Sequence, residues 1–294
     1  MKQVLTQQER EGFDKNGFLI IENALSSVEI GELVAVADDL YGRYEAETGT
    51  GRLEIRNCLA QHRSLLNLVT HAKILPVVVG LLGPNIKIRS SHLDIRPPVA
   101  RDSVTNQLGQ ERWGEPEQWH IDGPLYGYPS IKGLVPMMEI KVGYYLTDVV
   151  ESDSGALCVV PGSHHFDYRA LAVKKPKIPE EYVYRAQVPK GAAIIFRTGL
   201  WHCVASNLSN TTRKVLYYAY TFRWIEASDY FTQSEEILAT CTPIQRQLLG
   251  ATASPARSPL GNEPAKTPCS FYWYTEPQDL PLQAWFDELH AATA

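Results

Sequence analysis

The stretch EQWHIDGPL, residues 117–125, sets His120 and Asp122 two positions apart, with a tryptophan before them and a glycine after. Alternate residues of a β-strand project to one side, so read as a strand this tripeptide aims an imidazole and a carboxylate at the same point. A second His-x-Asp, SHLDI at 91–95, repeats the pattern with His92 and Asp94. Iron(II) enzymes that activate oxygen commonly use two histidines and one carboxylate on one face of the ion. Either stretch could supply two such ligands, and a remote histidine would be the third. The chain has eight histidines, at 62, 71, 92, 120, 164, 165, 202 and 290. His62 and His71 fall in one predicted helix and His290 in another. His202, in FRTGLWHCVASN (196–207), follows a β-run and stands where a strand-end ligand is expected.

The surrounding texture decides the fold. After Gly83-Pro84, short β-branched and aromatic runs separated by Gly, Pro and Asn occupy 86–96, 117–122, 138–149, 155–160, 182–188, 192–197, 200–204 and 213–225. Many short strands at this density predict a sandwich or barrel of the jelly-roll kind. Upstream, TQQE (6–9) and SSVE (26–29) read as capping boxes that open helices, with a strand in FLIIENAL (18–25) between them. Apolar spacing predicts helices over 27–44 and 61–82, the second kinked or split at Pro76. Downstream, a helix over 234–249, a Pro/Ala/Ser-rich loop over 252–268 and a last helix in PLQAWFDELHAA (281–292) are expected. The expected organisation is one domain over 1–294. It comprises a mainly helical N-terminal buttress (1–84), a β core (85–225) and a helical C-terminal extension (226–294).

A hydrophobic fraction of 44% and a charged fraction of 21% suit a globular chain with a sizeable core. The net charge is −5, and basic residues are dispersed apart from VKKPK (173–177), so the footprint of a nucleic-acid binder is missing. The polar N-terminus and the lack of any run near the roughly 20 apolar residues of a membrane span predict a cytoplasmic protein without membrane association. Five scattered cysteines (58, 158, 203, 241, 269) fit reduced thiols. The expected partner is a small molecule, and oligomeric state is not legible.

W-H-x-D-G (119–123), SGALCVVPGSHH (154–165), WHCVASN (201–207) and an arginine eleven residues after His202 stand in one order. Together, over about residues 13–225, they resemble the phytanoyl-CoA dioxygenase family of Fe(II)/2-oxoglutarate oxygenases. The resemblance implies a mainly β fold with flanking helices around a double-stranded β-helix, that is, a jelly-roll, cupin-like core. It implies Fe(II) held by His120, Asp122 and His202, with 2-oxoglutarate and O2 as co-substrates and Arg213 on the distal carboxylate of 2-oxoglutarate. A guanidinium suits that role, because its planar, permanently charged fork matches a carboxylate. Ser163 and His164 are implied as structural, and no separate acid or base is assigned. Asp122 keeps the carboxylate that related halogenases lack, which argues against halogenation.

Two departures stand out. Many relatives carry Ser or Thr where this chain has Val204, and Gln where it has Ile121. Arg96, or a strand tyrosine such as Tyr144 or Tyr145, is therefore a second candidate for holding 2-oxoglutarate. His92, Asp94 and Arg96 alternate and share a face, so His92 and Asp94 become substrate-wall candidates. Trp113 in 99–116, Tyr126 and Tyr128 in 124–137, Trp224 and FYWY (271–274) extend that wall. This set predicts an oxygenase acting on an unactivated C–H of a small, apolar or ring-bearing metabolite of natural-product biosynthesis. Hydroxylation is the first expectation, with desaturation, cyclisation or demethylation reachable by a change of pose. The alternatives are an acyl-thioester or amino-acid hydroxylase of the same family, or a non-catalytic cupin-like binder.

Overall fold

The computed structural model describes residues 5–48, 51–100, 119–122, 136–151, 153–165, 178–251 and 280–291. They fall into two compact units, divided within two strands after Ser91 and after Tyr217.

The larger unit takes residues 7–56 and 92–217. Helix α1 (Gln7–Asn16) leads into β1 (Phe18–Ile21), and α2 (Ser27–Thr48) leads into β2 (Leu53–Arg56). The expected SSVE box opens α2: the Glu29 amide donates to the Ser26 hydroxyl at 3.3 Å, and the Ser26 amide to the Glu29 carboxylate at 2.7 Å. There follow β3 (Ile86–Arg96), β4 (Glu139–Tyr145), β5 (Leu157–Val159), β6 (Tyr184–Ala186), β7 (Ala193–Arg197), β8 (His202–Val204) and β9 (Arg213–Phe222). One sheet runs β1-β7-β4-β9-β3-β2, to which β3 and β9 bring residues 92–96 and 213–217 in this unit, and the other runs β6-β5-β8. The expected mainly β jelly-roll core is present.

Alternation fixes what each strand shows to the space between the sheets. Leu157 and Val159 of β5 pack with Ile194, Phe196, Val215 and Tyr217 of the larger sheet, whereas Cys158 turns to the opposite face and joins Trp119, Ile121, Trp201 and Cys203. The strand expected over 117–122 appears among the described residues only as a bridge, in which His120 and His202 exchange backbone hydrogen bonds of 3.0 and 2.9 Å. Two residues on, the Asp122 amide donates to the Thr198 carbonyl at 2.8 Å, across the turn before β8. Pairing therefore ends where the partner strand begins.

The smaller unit holds 1–6, 57–91 and 218–294, as far as these are described. The helix expected over 61–82 is broken into α3 (Arg63–Asn67), a 3-10 turn (Leu68–Thr70) and α4 (Leu75–Leu82), the two halves bent by 48°. Pro76 lies in the first turn of α4, where its missing N–H costs no helical bond, and the His62 ring caps α3 by accepting from the Ser64 amide at 3.2 Å. The helix expected over 234–249 likewise divides into α5 (Glu235–Ala239) and α6 (Pro243–Leu248), because Thr242 caps a new helix in a box with Gln245, with Pro243 in its first turn. The last helix, α7 (Pro281–Ala291), is where expected, and its Leu282 amide donates to Gln247 at 3.0 Å. The hydroxyls of Tyr218 and Tyr220 on β9 donate to the carbonyls of Leu65 and Val69 at 2.8 and 3.1 Å, which ties strand to helix inside this unit. No single helix among the described residues is long and apolar enough to cross a membrane. The loop expected over 252–268 lies outside the described residues.

Candidate metal centre

His120 and Asp122 share the inner side of their segment because Trp119 and Ile121, 4% and 3% exposed, take the outer side. His202 occupies the same side of β8, one position before buried Cys203. The three side chains meet: one donor atom from each lies within 4.8 Å of the others. Asp122 Oδ2 is 3.3 Å from His202 Nε2, Asp122 Oδ1 is 3.5 Å from His120 Nε2, and the two ring centres are 4.3 Å apart. His202 Nδ1 lies 2.8 Å from the Leu200 carbonyl, which can only accept, so Nδ1 carries the proton and the Nε2 lone pair faces the cluster. Phe196 packs edge-on against the same ring with centres 5.0 Å apart. Burial pushes the His202 imidazole below its usual range, only partly opposed by Asp122, and so favours the neutral form that ligates. Two nitrogens and one carboxylate oxygen on one side of a common point fit a divalent transition metal with open positions.

SHLDI takes another part. His92, Asp94 and Arg96 share the inner face of β3, and with Arg52, Glu54, Arg56, His120, Asp122, Lys141, Phe196, His202 and Tyr217 they line a cavity of about 170 Å³. His92 stacks on Tyr217 at 4.9 Å, and its buried Nδ1 has no hydrogen-bond partner among the described residues. Burial first, then the cations Lys141 and Arg56, push its pKa down to about 3, so the ring is neutral.

Arg213, the expected 2-oxoglutarate anchor, is 1% exposed and already engaged. Its Nη1 donates to Asp94 Oδ2 at 2.6 Å and its Nη2 to the Tyr217 hydroxyl at 2.8 Å, with the Tyr145 ring 5.7 Å from the guanidinium carbon. Gly155, at φ 78°, clears its path, since a Cβ there would come within 2.7 Å of the Arg213 Cδ. Asp94 also accepts from Arg96 Nε at 2.8 Å and lies 3.6 Å from Arg52. Burial would raise the Asp94 carboxyl, but Arg213, Arg96 and Arg52 more than offset this and hold it below its usual range. Tyr144 and Tyr145 are fully buried and do not line the cavity. Trp224 is half exposed and stacks on Phe222 at 5.9 Å; it is not in the cavity lining. Trp113, Tyr126, Tyr128 and FYWY (271–274) lie outside the described residues. Ser163 accepts from the Trp201 amide at 2.9 Å and His164 Nε2 lies 2.9 Å from the Asp14 carbonyl, contacts that hold backbone in place.

Sequence reasoning missed Lys141. Its ammonium, on β4, pairs with Asp122 Oδ2 and lies 6.0 Å from the ring centres of Phe196 and Tyr217. The signal was a lysine inside a strand that otherwise buries every residue. Burial raises the Asp122 carboxyl, and Lys141 with His202 outweighs this, leaving it well below its usual range. An ammonium on that oxygen competes with a metal cation. Two unit charges about 4 Å apart repel by roughly 4 kcal/mol at an effective dielectric of about 20, and relaxation removes part of this. Lys141→Met is therefore expected to tighten Ni(II) binding by about tenfold or more, as read by calorimetry. Unchanged or weaker binding would show that Lys141 does not compete.

Jelly roll and site together define the class: the fold is that of the iron(II)- and 2-oxoglutarate-dependent oxygenases. The chain belongs to the phytanoyl-CoA dioxygenase (PhyH) family, whose model matches residues 13–215. It is similar to a probable alpha-ketoglutarate-dependent hypophosphite dioxygenase of Stutzerimonas stutzeri, 25% identical over 184 residues, which are 56% of this chain and 57% of that protein. It is also similar to the ectoine dioxygenase of Bordetella parapertussis, 26% identical over 171 residues, 54% of this chain and 50% of that one. The chain thus spans about half the length of the curated relatives it matches. Among solved structures it resembles HygX from Streptomyces hygroscopicus with nickel and 2-oxoglutarate bound, with a TM-score of 0.59 at 16% identity, covering 76% of this chain and 90% of that one. At that identity the likeness is one of fold.

Proposed function

We propose that the protein is an Fe(II)/2-oxoglutarate-dependent dioxygenase that oxidises an unactivated C–H bond of a small metabolite with an apolar or ring-bearing body. The observation that carries this reading is the convergence of His120, Asp122 and His202 at the wall of a cavity, inside the fold and family that use such a set. Their donor atoms would hold the iron, and bound iron with 2-oxoglutarate would supply oxidative decarboxylation and activation of O2. The protein's own part is placement. Leu157, Phe196, Val204 and Tyr217 line one part of the cavity and would seat the substrate's apolar body. His92, neutral and stacked on Tyr217, offers on the same wall an Nδ1 that has no partner among the described residues. Which carbon is presented decides between an alcohol, an alkene or a closed ring.

For 2-oxoglutarate, Arg96 faces the cavity, while Arg213 stands behind Asp94. Val204, where many relatives place a hydroxyl, adds no hydrogen bond. We assign the distal carboxylate to Arg96, with Arg213 reached when Asp94 yields one of its three cationic partners. The test is succinate formation from 2-oxoglutarate. It is expected to require Fe(II) and air, to stop when Fe(II) is chelated, and to rise with the right metabolite. Air-dependent succinate that is indifferent to Fe(II), or none with any metabolite pool, would contradict the reading.

A further inference from the structure

The cavity's charges are not balanced. Arg52, just before strand β2, and Glu54 and Arg56 within it face the cavity at alternate positions, Glu54 and Arg56 opposite Asp94 and His92 of β3 in register. Glu54 is shared by two guanidinium groups, Arg52 at 3.5 Å and Arg56 in closer contact, and Asp94 by three, those of Arg213, Arg96 and Arg52. Among the described residues, four arginines thus meet two carboxylates, while Lys141 and Asp122 neutralise each other. Iron(II) and the 2-oxoglutarate dianion would enter with cancelling charge, so the excess of two positive charges among the described residues persists when both are bound. It is accessible: the side chains of Arg52 and Arg56 are 58% and 60% exposed, whereas those of Asp94 and Arg213 are 3% and 1% exposed. Guanidinium forks bind oxyanions bidentately and with direction, more strongly than neutral donors do.

We infer that the substrate is a small acid whose oxyanion group, a carboxylate, phosphonate or phosphate, is received by Arg52 and Arg56 at the β2 edge while its apolar body lies toward the metal. This rests on the oxygenase reading for the word substrate, but the anion subsite itself is measurable without turnover. The probes are phenylacetate and phenylacetamide, matched in size and ring and differing in charge. Calorimetry on the metal-free protein and on the Ni(II)/2-oxoglutarate complex is expected to give the acid at least about a tenfold lower Kd, the size of one charge-assisted contact. Added salt should erode the preference. The Arg52→Gln/Arg56→Gln variant, its folding checked by its thermal midpoint, is expected to bind acid and amide alike.

Equal binding of the two probes by the wild type, failure of the acid to bind, or a preference that survives in the variant would overturn the inference. So would a variant that loses 2-oxoglutarate affinity in step with the preference, since the arginines would then serve the co-substrate. Failure of the wild type to take up 2-oxoglutarate with its metal would count against the oxygenase reading, while the metal-free measurement still decides the subsite.

Discussion

His202→Ala is expected to lower metal affinity by roughly a hundredfold or more and to abolish succinate formation. Loss of a group that only orients a ligand already costs 10- to 100-fold, and His202 is placed as a ligand itself. The substitution removes the one ring whose tautomer is fixed by a carbonyl and leaves His120, half exposed, with Asp122 and its Lys141 partner. Calorimetry with Ni(II) reads the loss directly. Because His202 is buried against Phe196, the metal-free variant's thermal midpoint must be followed alongside. Affinity retained within about threefold in a folded variant would remove His202 from the proposed ligand set.

Asp94→Ala is expected to be the most destabilising single change in the cavity wall. It strands a guanidinium that is 1% exposed, and removing one partner of a buried ion pair costs about 3–5 kcal/mol. Denaturant unfolding should show this as a lower midpoint. The double variant Asp94→Ala/Arg213→Leu should recover part of the loss, because no uncompensated charge is then left. The folded-state pKa of Asp94 lies below its unfolded value, so the pair's contribution is complete above about pH 4 and fades as pH falls below that. In the Asp94→Ala variant this part of the acid sensitivity should disappear. A cost below about 1 kcal/mol would mean that Asp94 and Arg213 are solvated in solution.

Much of this arrangement could be read from residue order. The strands followed short β-branched and aromatic runs, two capping-box patterns marked the starts of α1 and α2, and strand alternation put His120 and Asp122 on one side of their segment. His202 stood out as a histidine just after a β-run. The two His-x-Asp stretches were equivalent as sequence, and the fold separates them: one meets His202, and the other meets Arg213 from 119 residues away. That pairing depends on which strands become neighbours, which no local pattern encodes. Strand β2 was overlooked because four residues, LEIR, give too short an alternation to read, and with it went Arg52, Glu54 and Arg56. Lys141 was visible as an anomaly in β4, but its partner was not. The aromatic residues expected in the wall fall largely outside the described residues, so the charged part of the wall rests on strands β2 and β3.

The most direct measurement is an anaerobic titration of the metal-free protein with Fe(II) and 2-oxoglutarate, following the weak visible charge-transfer band of the chelate. A band saturating at one iron per chain in the wild type, lost in His120→Ala and weakened in Arg96→Ala, is the predicted result. No band in the wild type, or a band untouched by His120→Ala, would contradict the account.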